Sequence, residues 1–194
     1  MNRKEIKLSL LLIILLSFRI SSAQTIIPLQ PLTELDFDYI EENDVYVKDV
    51  DNKLGKFVGT WIGSFKNREY ELKIDKFTDN KNLFPYKIDI LVMRYRIVNS
   101  NSREEIINTT QLENENVLVV HGLDLRGNNT YVLDYAGRLF KCGQNGIIFL
   151  DIRPDETTMA MSYEPAREFI DPAECPNGVV QVLPTEGSIT LTKQ

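Results

Sequence analysis

The chain has 194 residues, 43% of them hydrophobic and 26% charged, and a formal net charge of −6. That length suits one domain around a single core. The acidic balance gives no electrostatic footprint for nucleic acid, whose phosphates are held by Lys and Arg. One histidine excludes multi-histidine zinc sites and leaves at most one imidazole for a catalytic triad.

The N-terminus reads as a signal peptide. Arg3, Lys4 and Lys7 form a basic region, and Leu8 to Phe18 is apolar apart from Ser9 and Ser17. Ser21-Ser22-Ala23 then supplies a small-residue cleavage site before Gln24. The apolar run is shorter than the roughly 20 residues of a membrane helix, and no later segment reaches that length, so no membrane span is expected. No cysteine stands at the cleavage site, so a lipoprotein anchor is not expected. The mature chain is expected to be exported, either secreted or periplasmic. Cleavage after Ala23 removes four basic residues and one acidic, leaving 18 against 27, a net of −9. Such a charge favours solubility and repels anionic membranes.

Residues 24–50 read as an acidic lead-in. Pro28 and Pro31 interrupt regular structure, Asp36, Asp38, Glu41, Glu42 and Asp44 cluster, and Val45 to Val50 is long enough for one short strand. Asp49-Val50-Asp51-Asn52-Lys53-Leu54 opens like a calcium loop. It then puts Lys53 and Leu54 where a ligand and a glycine are required. A loosely ordered, solvated segment is expected, with a barrel domain following over 51–194.

In Lys56 to Phe65, the residues Gly59, Trp61, Gly63 and Phe65 share one face of an extended strand, and Val58, Thr60, Ile62 and Ser64 the other. Large residues alternating with glycine suit a small barrel interior, although a Trp in a sandwich core gives the same pattern. Phe57-x-Gly59-Thr60-Trp61 resembles the G-x-W opening of the calycin barrels, the lipocalins, fatty-acid-binding proteins and avidins. The resemblance implies a closed antiparallel barrel.

Beyond Lys66-Asn67-Arg68, Tyr70, Leu72 and Ile74 alternate with charged residues, a half-buried strand joined to the Trp61 strand by a tight turn. Over Tyr86 to Val98 the apolar phase changes from even to odd positions. A slip of that kind predicts a β-bulge near Ile90–Val92. Glu104–Thr110 reads as a weak rim strand and Val117–His121 as a buried one. Tyr131, Leu133 and Tyr135 share a face, Ile147–Ile152 reads as central, and Met159, Met161 and Tyr163 share a face. Val179–Leu183 and Ser188–Thr192 read as closing strands. The fold class expected is therefore all-β, a single closed or nearly closed antiparallel β-barrel of about 8–10 strands with little helix.

Cys142 and Cys175 form an even pair in a chain expected to be exported, which predicts a disulfide; the alternative is a reactive thiol served by His121. No G-x-S-x-G elbow, Gly-rich phosphate loop or H-E-x-x-H is present. Glu104-Glu105 and Asp155-Glu156 read as solvated charges and His121 as a hydrogen-bonded rim residue. No catalytic residue, metal or cofactor is expected, and the chain is read as non-enzymatic.

Two functions from different classes stay open. In one, the interior residues Trp61, Phe65, Tyr70, Leu72, Tyr95, Tyr131 and Tyr135 line a cup for a small apolar molecule. In the other, the barrel is filled, and its acidic loops dock an extracytoplasmic protein. A set of short segments occurs in order: Gln24-Thr25-Ile26-Ile27-Pro28-Leu29, Tyr46-Val47-Lys48-Asp49-Val50, Lys141 to Gly146, Cys175-Pro176-Asn177-Gly178 and Leu191-Thr192-Lys193-Gln194. The set is similar to a family of short secreted Bacteroidota proteins, a domain of unknown function. That resemblance implies compartment and fold and carries no activity.

Overall fold

Glycine and aromatic residues alternate along Gly59–Phe65 because this stretch faces inward as one stave of a closed sheet. The computed structural model describes residues 24–178 and 180–194, so the expected signal peptide lies outside the described residues. In chain order the elements are β1 (Thr25–Pro28), α1 (Phe37–Glu42), β2 (Val45–Lys48), β3 (Gly59–Phe65), β4 (Arg68–Asn80), β5 (Lys87–Asn99) and β6 (Glu105–Asn108). They continue with β7 (Val120–Arg126), β8 (Thr130–Ala136), β9 (Asn145–Ile152), β10 (Thr158–Pro165) and β11 (Ile189–Lys193). Eight of these close into an antiparallel barrel in the ring order β3-β4-β5-β7-β8-β9-β10-β11, with β11 returning to β3. Among the described residues no helix is long and apolar enough to cross a membrane.

The long strand β5 makes closure possible. One edge pairs with β4 along its whole length, and the other is shared by three strands. β2 takes Lys87 and Ile88, β7 takes Val92 and Met93, and β6 takes Arg96 to Val98. The β4–β5 register runs unbroken from Arg68↔Asn99 to Asn80↔Lys87, so the bulge expected near Ile90–Val92 is absent. The phase change has another cause. Leu91, Met93, Tyr95 and Ile97 face the interior, while Ile88, Ile90 and Val92 are buried on the outer face. There they join one core cluster with Ile40, Val45 and Val47 of the lead-in and Val119 of the β6–β7 connection. The register shifts fall elsewhere, between Ile97 and Val98 against β6 and between Gly122 and Asp124 in β7.

The lead-in is also better ordered than expected. β1 and β2 pair in parallel, β2 continues the sheet from β5, and Phe37 of α1 stands 6.4 Å from Tyr86. Two buried carboxylates hold it down. Asp89 accepts from the Tyr46 hydroxyl at 2.7 Å, the Thr78 hydroxyl at 2.7 Å and the Asp49 amide at 3.0 Å. Asp49 accepts from the Lys53 and Leu54 amides and from Lys76 Nζ at 3.3 Å. The stretch that opens like a calcium loop is thus a turn whose carboxylate is occupied by its own chain.

That turn plugs one end of the barrel. Leu54 and Phe57 are fully buried, and Trp61 Nε1 donates to the Phe57 carbonyl at 2.7 Å. Burying the indole contributes roughly 2–3 kcal/mol, and this hydrogen bond satisfies its one donor. Gly63 is required by its neighbour, since a Cβ there would lie 2.4 Å from the Thr190 carbonyl of β11.

The other end is covered by residues 166–188, which carry no strand or helix among the described residues. The strand expected at 179–183 is absent over 180–183; Val179 lies outside the described residues. Here the backbone carbonyls are satisfied by side chains. Arg68 Nη1 donates to Gln181 O at 3.2 Å and to Val182 O at 2.6 Å, and Gln144 Nε2 donates to Val180 O. Cys142 and Cys175 are bridged, with S–S 2.07 Å and Cα atoms 5.6 Å apart, which excludes the reactive-thiol alternative. β9 is central as expected, paired with both β8 and β10, though it buries one face only, with Ile147 and Phe149 half-buried outside. One further expectation is corrected. Val117 is 79% exposed, and the strand expected from it begins at Val120.

Candidate functional site: the barrel interior and its capped end

All seven residues singled out for the interior lie on the inner face. The pairs Trp61↔Leu72, Leu72↔Tyr95 and Gly63↔Tyr70 put the β3–β5 members on that face, and Tyr131 and Tyr135 follow from β8. Six of them are buried to within 2% of complete inaccessibility, and Phe65 is half-buried at the rim. A side chain without accessible surface borders no void that admits water, so the space these residues enclose is packed. Tyr131 packs near the plug, its ring 5.8 Å from that of Phe57 and tilted to it by 51°. Tyr135 stands at the capped end, 6.1 Å from Tyr95 and 5.3 Å edge-on from Tyr163.

The tyrosine hydroxyls are not equivalent. Tyr131 Oη accepts from the Leu91 amide at 3.1 Å, and Gly122 leaves it room, since a Cβ there would come 2.2 Å from that oxygen. The Tyr163 hydroxyl donates to Asn145 O at 2.8 Å. The hydroxyls of Tyr95 and Tyr135 are buried near one another, but neither has a partner in hydrogen-bond geometry among the described residues. Burial pushes the Tyr163 phenol up to about 12 and raises those of Tyr70, Tyr95, Tyr131 and Tyr135 as well. At neutral pH the interior therefore presents neutral phenols.

Several contributors were not singled out from the sequence. Tyr163 shows in the alternation Met159-Met161-Tyr163, which marks an inner face. Arg68, Gln144 and Gln181, which hold the cap, have no sequence signal, because their partners lie up to 114 positions away.

Outside the barrel, the charge clusters have local duties. Asp155 accepts from the Thr157 and Thr158 amides and the Thr158 hydroxyl, which lower its pKa. Glu105 pairs with Arg96 at 2.7 Å. His121 is on the outer face opposite Val92, its Nε2 2.8 Å from the Asn114 carbonyl. The lead-in differs. Glu34, Asp36, Asp38, Glu41, Glu42 and Asp44 are all exposed around α1, with Phe37 and Tyr39 over two-fifths exposed between them. Asp36 caps α1 by accepting from the Tyr39 amide at 3.1 Å. Asp44 meets Lys81 at 3.0 Å, which holds its carboxyl below the usual range.

No protein-family model, curated protein or solved structure matches the chain.

Proposed function

We propose that this protein is an exported, non-enzymatic barrel that works through its outer surface as an interaction module. One observation carries the reading: six of the seven candidate ligand-lining side chains are solvent-inaccessible, so they serve as core packing. The disulfide supports an oxidising compartment, as do the signal-peptide pattern and the similarity to secreted Bacteroidota proteins. The calycin-like opening then marks how the barrel is built and carries no ligand. The partner is a basic extracytoplasmic protein, which would meet Phe37 and Tyr39 within the acidic rim of α1. Cations are attracted to aromatic faces, and complementary charge speeds encounter.

The test is capture from the native envelope or medium on immobilised mature protein, at low and high salt. Stoichiometric, salt-sensitive capture of one basic protein is expected, lost when Phe37 and Tyr39 are both replaced by serine. Capture of nothing at any salt, or capture indifferent to both salt and the substitutions, counts against the module. In parallel, a fluorescent fatty-acid probe is expected to leave Trp61 emission unchanged; saturable quenching would restore the ligand cup.

A further inference from the structure

Beside the cap, a cleft of about 530 Å³ opens between the β3–β4 hairpin and residues 181–186. Its volume is that of ordinary small-molecule sites. One wall is rigid: Phe65, Lys66 and Asn67 turn from β3 into β4, and the Asn67 carbonyl accepts from the Ser100 amide at 2.9 Å. The facing wall has no regular structure but is tied to the first by Arg68, whose Nη1 holds the carbonyls of Gln181 and Val182. Leu183 and Tyr70, both buried, pack beneath the cleft floor and hold it in place. Pro184 stiffens the turn above them.

The lining narrows the class of occupant. Asn67, Thr185 and Glu186 are exposed and make no side-chain hydrogen bond among the described residues. Asn99 uses only its Oδ1, which accepts from the amides of Asn101 and Ser102. The cleft thus carries both donors and acceptors on short or planar groups. An acyl chain would strip water from all of them with nothing in return. A simple anion would meet the Glu186 carboxylate, and one nitrogen of the Arg68 guanidinium is already committed. A polyhydroxylated molecule fits, because each hydroxyl both donates and accepts, and the apolar face of its ring can lie on Phe65. The Lys66 ammonium stands 5.4 Å over the Phe65 ring; on a long exposed stem it can swing aside.

We propose that this cleft is a saccharide site for one or two sugar units. The test uses saturation-transfer NMR on the purified protein with glucose, galactose, N-acetylglucosamine, glucuronate and maltose, and with octanoate as the apolar acid. At least one sugar is expected to bind saturably with a roughly millimolar or tighter Kd. The N67A/E186Q double variant is expected to weaken that binding at least tenfold with an unchanged melting temperature. Neutral sugars are expected to bind more tightly than glucuronate, because the Glu186 carboxylate lines the cleft. Three results overturn it: no transfer to any sugar at about 20 mM, well above that affinity range; transfer to octanoate alone; or sugar binding unaltered by the double variant.

Discussion

Two buried tyrosines, Tyr131 and Tyr135, make opposite contributions through one oxygen each. The Tyr131 hydroxyl satisfies the Leu91 amide inside the barrel, so Tyr131→Phe orphans a buried donor and is expected to destabilise by about 1–3 kcal/mol. The Tyr135 hydroxyl satisfies nothing among the described residues. Tyr135→Phe removes an unpaired polar atom and is expected to leave the melting temperature unchanged or raised. Thermal melts of the two variants side by side check the contrast; equal losses would mean that the Tyr135 hydroxyl is paired after all. Alkaline titration reads the same groups together. A phenol whose folded pKa is raised stays protonated after the unfolded chain has begun to lose its proton. Stability is therefore full below about pH 10 and falls above it, by up to about 1.4 kcal/mol per pH unit for each such tyrosine, the Tyr163 contribution ending near pH 12. The phenolate absorbance of the buried set is expected to appear together with unfolding.

Two elements are held to the barrel by few contacts, and each can be released separately. The lead-in depends on Asp89, which serves three donors at once. Asp89→Ala leaves those donors unserved and is expected to destabilise by about 3 kcal/mol, measured by denaturant melts. The cap depends on the Cys142–Cys175 bridge, which spans a sequence separation of 33. Chain entropy sets the value of such a closure at about 3–4 kcal/mol. Replacing both cysteines with serine is expected to lower the melting temperature by several degrees. It is also expected to speed tryptic cleavage at Arg167, which already lies on the surface, while the eight strands stay intact. An unchanged melt with unchanged proteolysis would mean that the side-chain bonds of Arg68 and Gln144 hold the cap alone.

At the scale of the whole molecule the barrel closes on thin seams, with two residue pairs between β5 and β7 and three between β3 and β11. β4 and β5 share thirteen residue pairs, whereas β5 and β7 close the ring through two. Amide exchange is therefore expected to be slowest in the middle of β4 and β5 and distinctly faster at Val120 and His121. Uniform protection around the ring would contradict this. The filled interior has its own test: Leu150→Ala, opposite Tyr131 and fully buried, is expected to cost about 2–5 kcal/mol because a packed core cannot collapse into the gap. An open cup would tolerate it.

The amino-acid sequence alone determined much of this architecture. The Gly59-x-Trp61-x-Gly63-x-Phe65 face, the alternation at Tyr70-Leu72-Ile74 and the inward sets on β8 and β10 were legible because period 2 is a property of the strand itself. The inner-face position of all seven candidate residues followed from it, while the cysteine pair was legible from its even count behind an export signal. What sequence could not decide was which outer faces would be covered. The phase change over Tyr86–Val98 has the same local appearance whether a strand is bulged or buried on both sides, and only the docking of Ile40, Val45 and Val47 separates the two. The cap was illegible for a related reason. Its backbone is satisfied by Arg68 and Gln144, contacts distant in sequence that leave no periodic trace. Whether the barrel is a cup or a core was likewise a tertiary decision. It turns on how completely side chains from eight strands fill one volume, a sum that no single strand's pattern contains.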